Sequence, residues 1–184
     1  MRGTHLFSLR TLTLCVLFLA ALGMVGGMIC GFDALAAEQD QGKGDVEHLK
    51  KVMPEAERFE PAQYMGTPYW VAYRGSDRIG GVFKTQGIGY AGPLEVMTGI
   101  DSEGKITGAI PLSHNETPAL AGDGALRQFM SQFIGKKAPF ILKRDDPSGN
   151  IDAIASATVS SRAVMGAMAE AMRVFQKELR AGTN

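Results

Sequence analysis

The chemistry-bearing side chains of this 184-residue chain gather in two stretches. The first is DAIASATVSS, Asp152 to Ser161, where small and hydroxyl residues surround Thr158. An apolar-periodic segment, Arg162 to Arg180, follows at once. In it Val164, Met168, Ala171, Met172, Phe175 and Leu179 recur at spacings of three and four, which marks one buried helical face. The run therefore stands at a helix N-terminus, where free backbone N–H groups and the helix dipole favour an anion such as a phosphate. The plain alternative is ordinary N-capping, a common use of Ser and Thr before a helix. The second stretch is SHNETPALAG, Ser113 to Gly122. Its His114 and Glu116 have the chemistry of an acid–base pair or of metal ligands. One His and one carboxylate two positions apart make a poor metal site, and His48, set among Glu47, Lys50 and Lys51, is expected in solvent. Asp145 and Asp146, beside Pro147 and Gly149, read as turn formers and not as paired catalytic carboxylates. Residue types alone select no reaction for the second stretch.

Motif spacing carries more. Asp-x-x-Ala-Ser-Ala-Thr, Asp152 to Thr158, followed by Val-Ser-Ser-Arg-Ala-Val, resembles the attachment motif of the covalent FMN-binding domain family. That motif is usually written Asp-x-x-[Ser/Thr]-Gly-Ala-Thr. The family includes the G subunit of the Rnf electron transport complex and the C subunit of the Na+-translocating NADH:quinone reductase. In it the final Thr carries FMN through a phosphodiester bond, so the resemblance points to Thr158, with Ser156, Ala157 and Val159 beside it. Two positions depart from the motif: Ala155 stands where Ser or Thr is usual, and Ser156 where Gly is usual. If the latter position needs a positive φ, Ser suits it less well than Gly. Glu116-Thr117-Pro118-Ala119-Leu120-Ala121, preceded by His114, is similar to the Glu-Thr-Pro-Gly-Leu-Gly segment of Rnf G subunits, with Ala119 and Ala121 replacing the glycines. In such domains this loop lies against the flavin, so the resemblance assigns Glu116, Thr117, Pro118 and Leu120 to the isoalloxazine ring. The lead-in GYAGPLEV, Gly89 to Val96, also matches, and the resemblance spans Tyr69 to Leu179.

These stretches need a scaffold. An α+β domain is expected, with four to six mostly antiparallel strands and helices packed on them. Asp45 opens a short helix with Val46, Leu49, Val52 and Met53 on one face, stopped by Pro54. Tyr69 to Arg74 and Arg78 to Lys84 read as strands, and the glycines around Tyr90 in Gln86 to Pro93 as a bulge or bend. Leu94 to Ile100 and Lys105 to Ser113 read as a hairpin turning at Asp101 to Gly104. Asp123 is expected to cap a helix that buries Leu126, Phe129, Met130, Phe133 and Ile134 and closes at Gly135. Pro139 to Lys143 reads as a strand, Asp145 to Asn150 as a turn, and Gly182 as the cap of the last helix.

The balance of 19 basic and 19 acidic residues points to no nucleic-acid partner. Cys15 and Cys30 both lie in the N-terminal apolar run, roughly 22 Å apart if it is one helix, too far for a bridge. Thr11 to Phe32 contains no charged residue, and as a helix of about 33 Å it would cross a hydrocarbon core of about 30 Å. Arg2 and Arg10 precede it and Asp33, Glu38 and Asp40 follow, so residues 1–10 are expected in the cytoplasm and the C-terminal domain outside. A signal peptide cut after Ala36 is the competing reading; the apolar run is longer than such signals usually carry. The expected layout is a single-pass anchor over 11–32 in the bacterial inner membrane, a tether over 33–44, and a periplasmic FMN-binding domain over 45–184. The resemblance implies an electron-transfer subunit, not an enzyme by itself. Its covalent FMN would be installed by a flavin transferase, and its partners would be the other subunits of an Rnf-type membrane complex. Such a complex couples electron flow between ferredoxin and NAD, or another pair, to ion movement. Two alternatives stand beside it: a lone exported flavoprotein, and a non-redox anchored binding module in which SATVSS only caps a helix.

Overall fold

The computed structural model describes residues 45–180. The expected membrane span 11–32, the tether, both cysteines, the Ala36 cleavage position and Gly182 lie outside the described residues.

Segments rich in β-branched and aromatic residues form one antiparallel meander. Its strands are β1 (Arg58–Tyr64), β2 (Thr67–Arg74), β3 (Asp77–Ile88), β4 (Pro93–Asp101) and β5 (Ile106–Ser113), lying side by side in chain order. Helix α1 covers residues 45–52. After the sheet come α2 (Pro118–Ala121), α3 (Asp123–Ser131) and α4 (Thr158–Phe175), the last running into a π-helical turn, Gln176–Arg180.

Because successive side chains of a strand point to opposite faces, β3 serves two cores. Val82, with Ala72 and Met97, packs with Leu49, Val52 and Met53 around α1. Phe83, with Leu94, Val96 and Ile100, joins Val164, Ala167, Met168, Ala171 and Phe175 of α4 and the buried side of α3. The sheet is thus covered by helices on both faces. On the α1 side the fit depends on Gly99 and Gly108, which face each other across β4 and β5. A Cβ on either would fall 2.5 or 2.7 Å from the Val52 carbonyl oxygen, which instead accepts a 2.7 Å hydrogen bond from the Thr107 hydroxyl.

Tyr69 stacks on Phe83 in the larger core, and its hydroxyl donates to Glu178 at 3.3 Å. Burial and the neighbouring Glu178 carboxylate raise its pKa above that of a free phenol. Its contribution to stability is complete below the unfolded phenol's pKa of about 10 and is lost as pH rises through the folded value. Ultraviolet titration should show one phenol ionising late, absent in Tyr69→Phe, whose thermal midpoint should fall less steeply at alkaline pH.

The structure corrects the sequence reading at several places. β1 has no counterpart in that reading: Pro61 sits within it and breaks the alternation of polar and apolar residues, which suits an edge strand bonded on one side only. The bend expected within Gln86 to Pro93 is present at 90–92, where it joins β3, which continues to Ile88, to β4 and is closed by a 2.8 Å bond from Gly89 N–H to Gly92 C=O. Pro139 to Lys143 forms no strand beyond a single parallel bridge, Leu142 to Ile151. There the Asn150 side chain takes the Ile141 N–H at 3.0 Å, a local bond that competes with ladder pairing. Val46 and Ile134, expected in the core, are exposed; Ile134 lies beyond the end of α3, in a turn where helical spacing no longer applies. Asp123 is the first residue of α3 and makes no capping bond, Gly122 standing at the N-cap. The last helix begins four residues earlier than expected, at Thr158.

Candidate functional site

Thr158 is the first residue of the 18-residue helix α4. Ala157 stands at the N-cap with φ −130° and ψ 49°, and no side chain caps the helix. The nearby hydroxyls are engaged elsewhere. Ser161 Oγ accepts from Ile154 N–H at 2.9 Å and donates to the Ala157 carbonyl at 3.0 Å, folding the preceding loop onto the first turn. Ser160 Oγ donates to the Glu116 carboxylate. The capping reading of this run therefore does not hold, and the first-turn N–H groups face the space in front of Thr158. Asp152 closes the loop from the other side: its backbone exchanges bonds of 2.9 and 3.0 Å with the Gln132 side chain, and its carboxylate pairs with Lys143 at 2.8 Å.

Ser156 has φ 60°, the left-handed region that costs a non-glycine residue about 1 kcal/mol or more. This is the position where the attachment motif has Gly. Ser156→Gly should stabilise the domain by about 1 kcal/mol, read as a higher urea midpoint at unchanged slope.

Opposite α4 lies the loop between β5 and α2. Glu116 is buried at 5 % exposure. One carboxylate oxygen accepts from Ala91 N–H at 3.0 Å and the other from Ser160, so this single side chain ties the β3–β4 turn to the first turn of α4. Gly89 makes room for it, since a Cβ there would lie 2.3 Å from Glu116 Oε1. His114 is turned away: its Nδ1 accepts from Glu116 N–H at 3.2 Å and its Nε2 lies 2.8 Å from Asp123 Oδ1. It is no acid–base partner of the Glu116 carboxylate. Among the described residues no three metal-ligating side chains converge.

Between these walls is an open cleft of about 670 Å³. Ser156, Ala157, Thr158 and Val159 line it from the α4 side, and Glu116, Thr117 and Leu120 from the other. Pro118 does not line it; it occupies the start of α2. Tyr90, Ala121, Arg144 and Ser160 complete the wall, and sequence reasoning missed all four as site residues. Tyr90 carries a signal in the glycines around it, whereas Arg144 sits in a turn with none. Its guanidinium donates a 2.9 Å hydrogen bond to Thr158 Oγ1. Exposed apolar groups, Tyr90, Leu120 and Val159, surround the opening. An apolar slot ending at an uncapped helix N-terminus suits a planar aromatic molecule that carries a phosphate. The residues present fit FMN.

Comparison with known proteins agrees with that fit. A family model for the FMN-binding domain matches residues 89–173. The chain is 30 % identical over 139 residues to the G subunit of the proton-translocating ferredoxin:NAD(+) oxidoreductase complex of Clostridium ljungdahlii, covering 74 % of each chain. It is 32 % identical over 143 residues to the G subunit of the ion-translocating oxidoreductase complex of Methanosarcina acetivorans, covering 72 % of this chain and 75 % of that one. Among solved structures, NqrC of Shewanella oneidensis shares the fold with a TM-score of 0.50 at 16 % identity, over 70 % of this chain and 73 % of that one.

Proposed function

The chain belongs to the G-subunit family of ion-translocating, Rnf-type oxidoreductase complexes and carries an FMN-binding domain, and from that premise we propose that it is the flavin-carrying electron-transfer subunit of such a complex, with FMN joined to Thr158 by a phosphodiester bond. The observation that carries the reading is the position of Thr158. The motif threonine opens an uncapped helix at one end of a cleft whose opposite wall is the Glu116 to Leu120 loop. Bound FMN would supply the one- and two-electron chemistry.

The chain's own residues hold and shield. The first turn of α4 presents its N–H groups to the phosphate. Ala157 keeps the wall thin beside it, and Leu120, Val159 and Tyr90 supply apolar surface for an aromatic ring system. Glu116 keeps the two walls in register through Ala91 and Ser160. A covalent link retains the flavin in a compartment where free FMN is not replenished. The bond is made once, by a flavin transferase using FAD, and Thr158 takes no part in turnover. Among the described residues no helix is long and apolar enough to cross a membrane. The anchor of the proposal is residues 11–32, which would hold the domain 45–184 at the periplasmic face of the inner membrane. Electrons then enter and leave through neighbouring subunits, in a complex linking ferredoxin and NAD, or another pair, to ion movement.

Purification of the tagged full chain from its native membranes in mild detergent tests the assignment. Flavin fluorescence on this chain, co-migrating with other membrane subunits, is the expected result. A flavin-bearing chain that migrates alone would favour a lone exported flavoprotein, and a colourless chain would defeat the flavin assignment.

A further inference from the structure

Three cations stand in the loop 142–151 and the first turns of α4, Lys143, Arg144 and Arg162; of these Arg144 alone lines the cleft, and they are used differently. Lys143 is paired with Asp152 at 2.8 Å, and Arg162 with Asp145 at 2.7 Å. Arg144 has no carboxylate partner among the described residues, and its Nη1 is directed to Thr158 Oγ1 at 2.9 Å. The loop that carries it is braced. Leu142 is buried and bridges Ile151, the Asp145 and Asp146 N–H groups both bond to the Leu142 carbonyl at 3.0 Å, and the Asp145–Arg162 pair ties the turn to α4. The Arg144 backbone is therefore held at both neighbours, which lowers the entropic cost of keeping a long side chain on one hydroxyl.

We infer that Arg144 is the positioning residue for flavin attachment at Thr158 and afterwards the charge partner of the phosphodiester, a role that rests on the covalent FMN reading above. In the attachment step Thr158 Oγ1 forms a bond to the FMN-side phosphorus of FAD. The bond from that phosphorus to the pyrophosphate bridging oxygen breaks, AMP departs, and the hydroxyl proton is released. No oxidation state changes. A guanidinium donating to Oγ1 favours loss of that proton and orients the oxygen toward the cleft. Once the diester has formed, its single negative charge lies within reach of the same guanidinium, whose planar fork suits two non-bridging oxygens. Lys143 and Arg162, occupied by carboxylates, serve the loop and not the phosphate. Lys at position 144 keeps the charge and loses the fork, so it is expected to restore the function only in part.

The test is a time course of intact mass for the purified full chain incubated with a flavin transferase and FAD, comparing wild type, Arg144→Gln, Arg144→Lys and Thr158→Ala. The expected result is an initial rate about tenfold lower or more in Arg144→Gln, as suits loss of a hydrogen bond to a charged group, and an intermediate rate in Arg144→Lys. The thermal midpoints of the unflavinylated proteins should be alike, because Arg144 is exposed. Equal initial rates in wild type and Arg144→Gln would overturn the role, as would a rate loss matched by a lowered thermal midpoint. A wild type that gains no flavin while a control protein does would overturn the covalent reading itself, and the role of Arg144 with it.

Discussion

Glu116→Ala should lower the unfolding free energy by about 3 kcal/mol, the largest effect expected of any polar residue in the site. The Glu116 carboxylate accepts from Ala91 N–H and from the Ser160 hydroxyl, both at the junction of a hairpin turn and a helix. Truncation removes two hydrogen bonds to one carboxylate and leaves the Ser160 hydroxyl, 1 % exposed, without its acceptor, which costs about 1–3 kcal/mol for a buried group; Ala91 lies in an exposed turn, where water replaces the lost acceptor. Glu116→Gln keeps one acceptor oxygen and one polar nitrogen and should cost less than half as much. Urea unfolding of the full chain followed by tryptophan fluorescence and circular dichroism measures both. The variants should also flavinylate slowly, because the wall facing Thr158 loses its support. An unfolding midpoint for Glu116→Ala equal to that of wild type would mean that this carboxylate does not hold the walls together.

Gly87→Ala should be comparably damaging, for a reason of space. A Cβ at Gly87 would lie 2.1 Å from the Ala163 carbonyl oxygen and 2.7 Å from its carbon, backbone atoms of α4 that no side-chain rotation can move. The helix must shift away from β3 along the contact that positions its first turn. Overpacking of this kind costs about 1–3 kcal/mol, and the upper end is expected where the obstacle is backbone. Gly166 on the same helix is the control: nothing lies within 4 Å of its would-be Cβ, so Gly166→Ala should stabilise by about 1 kcal/mol through helix propensity. Opposite signs for two Gly→Ala changes, seen in thermal midpoints, would distinguish close packing from a general intolerance of substitution.

Much of the site and its scaffold is legible in the sequence. Helical periodicity from Val164 to Leu179 identifies the buried face of α4, because spacing of three and four survives whatever the helix packs against. The Asp101 to Gly104 turn is readable from its residue types, and the Asp101 carboxylate accepts from Glu103 and Lys105 N–H groups as such turns do. The motif of Asp152 to Thr158 and the Glu116 to Leu120 segment, far apart in the chain, meet across one cleft. The features that sequence does not reveal depend on partners distant in the chain. β1 is a strand because β2 offers it an edge, not because its own residues favour one. Ile134 fits the helical spacing yet is exposed, because α3 ends at Ser131. The serines after Thr158 have the look of caps, but their hydroxyls are drawn to Glu116 and to the Ala157 carbonyl, one of them 44 positions away. Arg144 gives no signal at all, since a turn arginine acquires meaning only when the fold brings it to a hydroxyl.

The central claim is a bond, and a mass measurement can weigh it. Full-chain protein co-expressed with an active flavin transferase, then denatured and measured by intact-mass spectrometry beside Thr158→Ala, tests it most directly. The account predicts that wild type gains the mass of one FMN less one water, while Thr158→Ala gains nothing and keeps its fold, because no capping bond is lost with the Thr158 side chain. Wild type without the added mass, with the transferase shown to work on another substrate, would contradict it, as would an equal gain in Thr158→Ala.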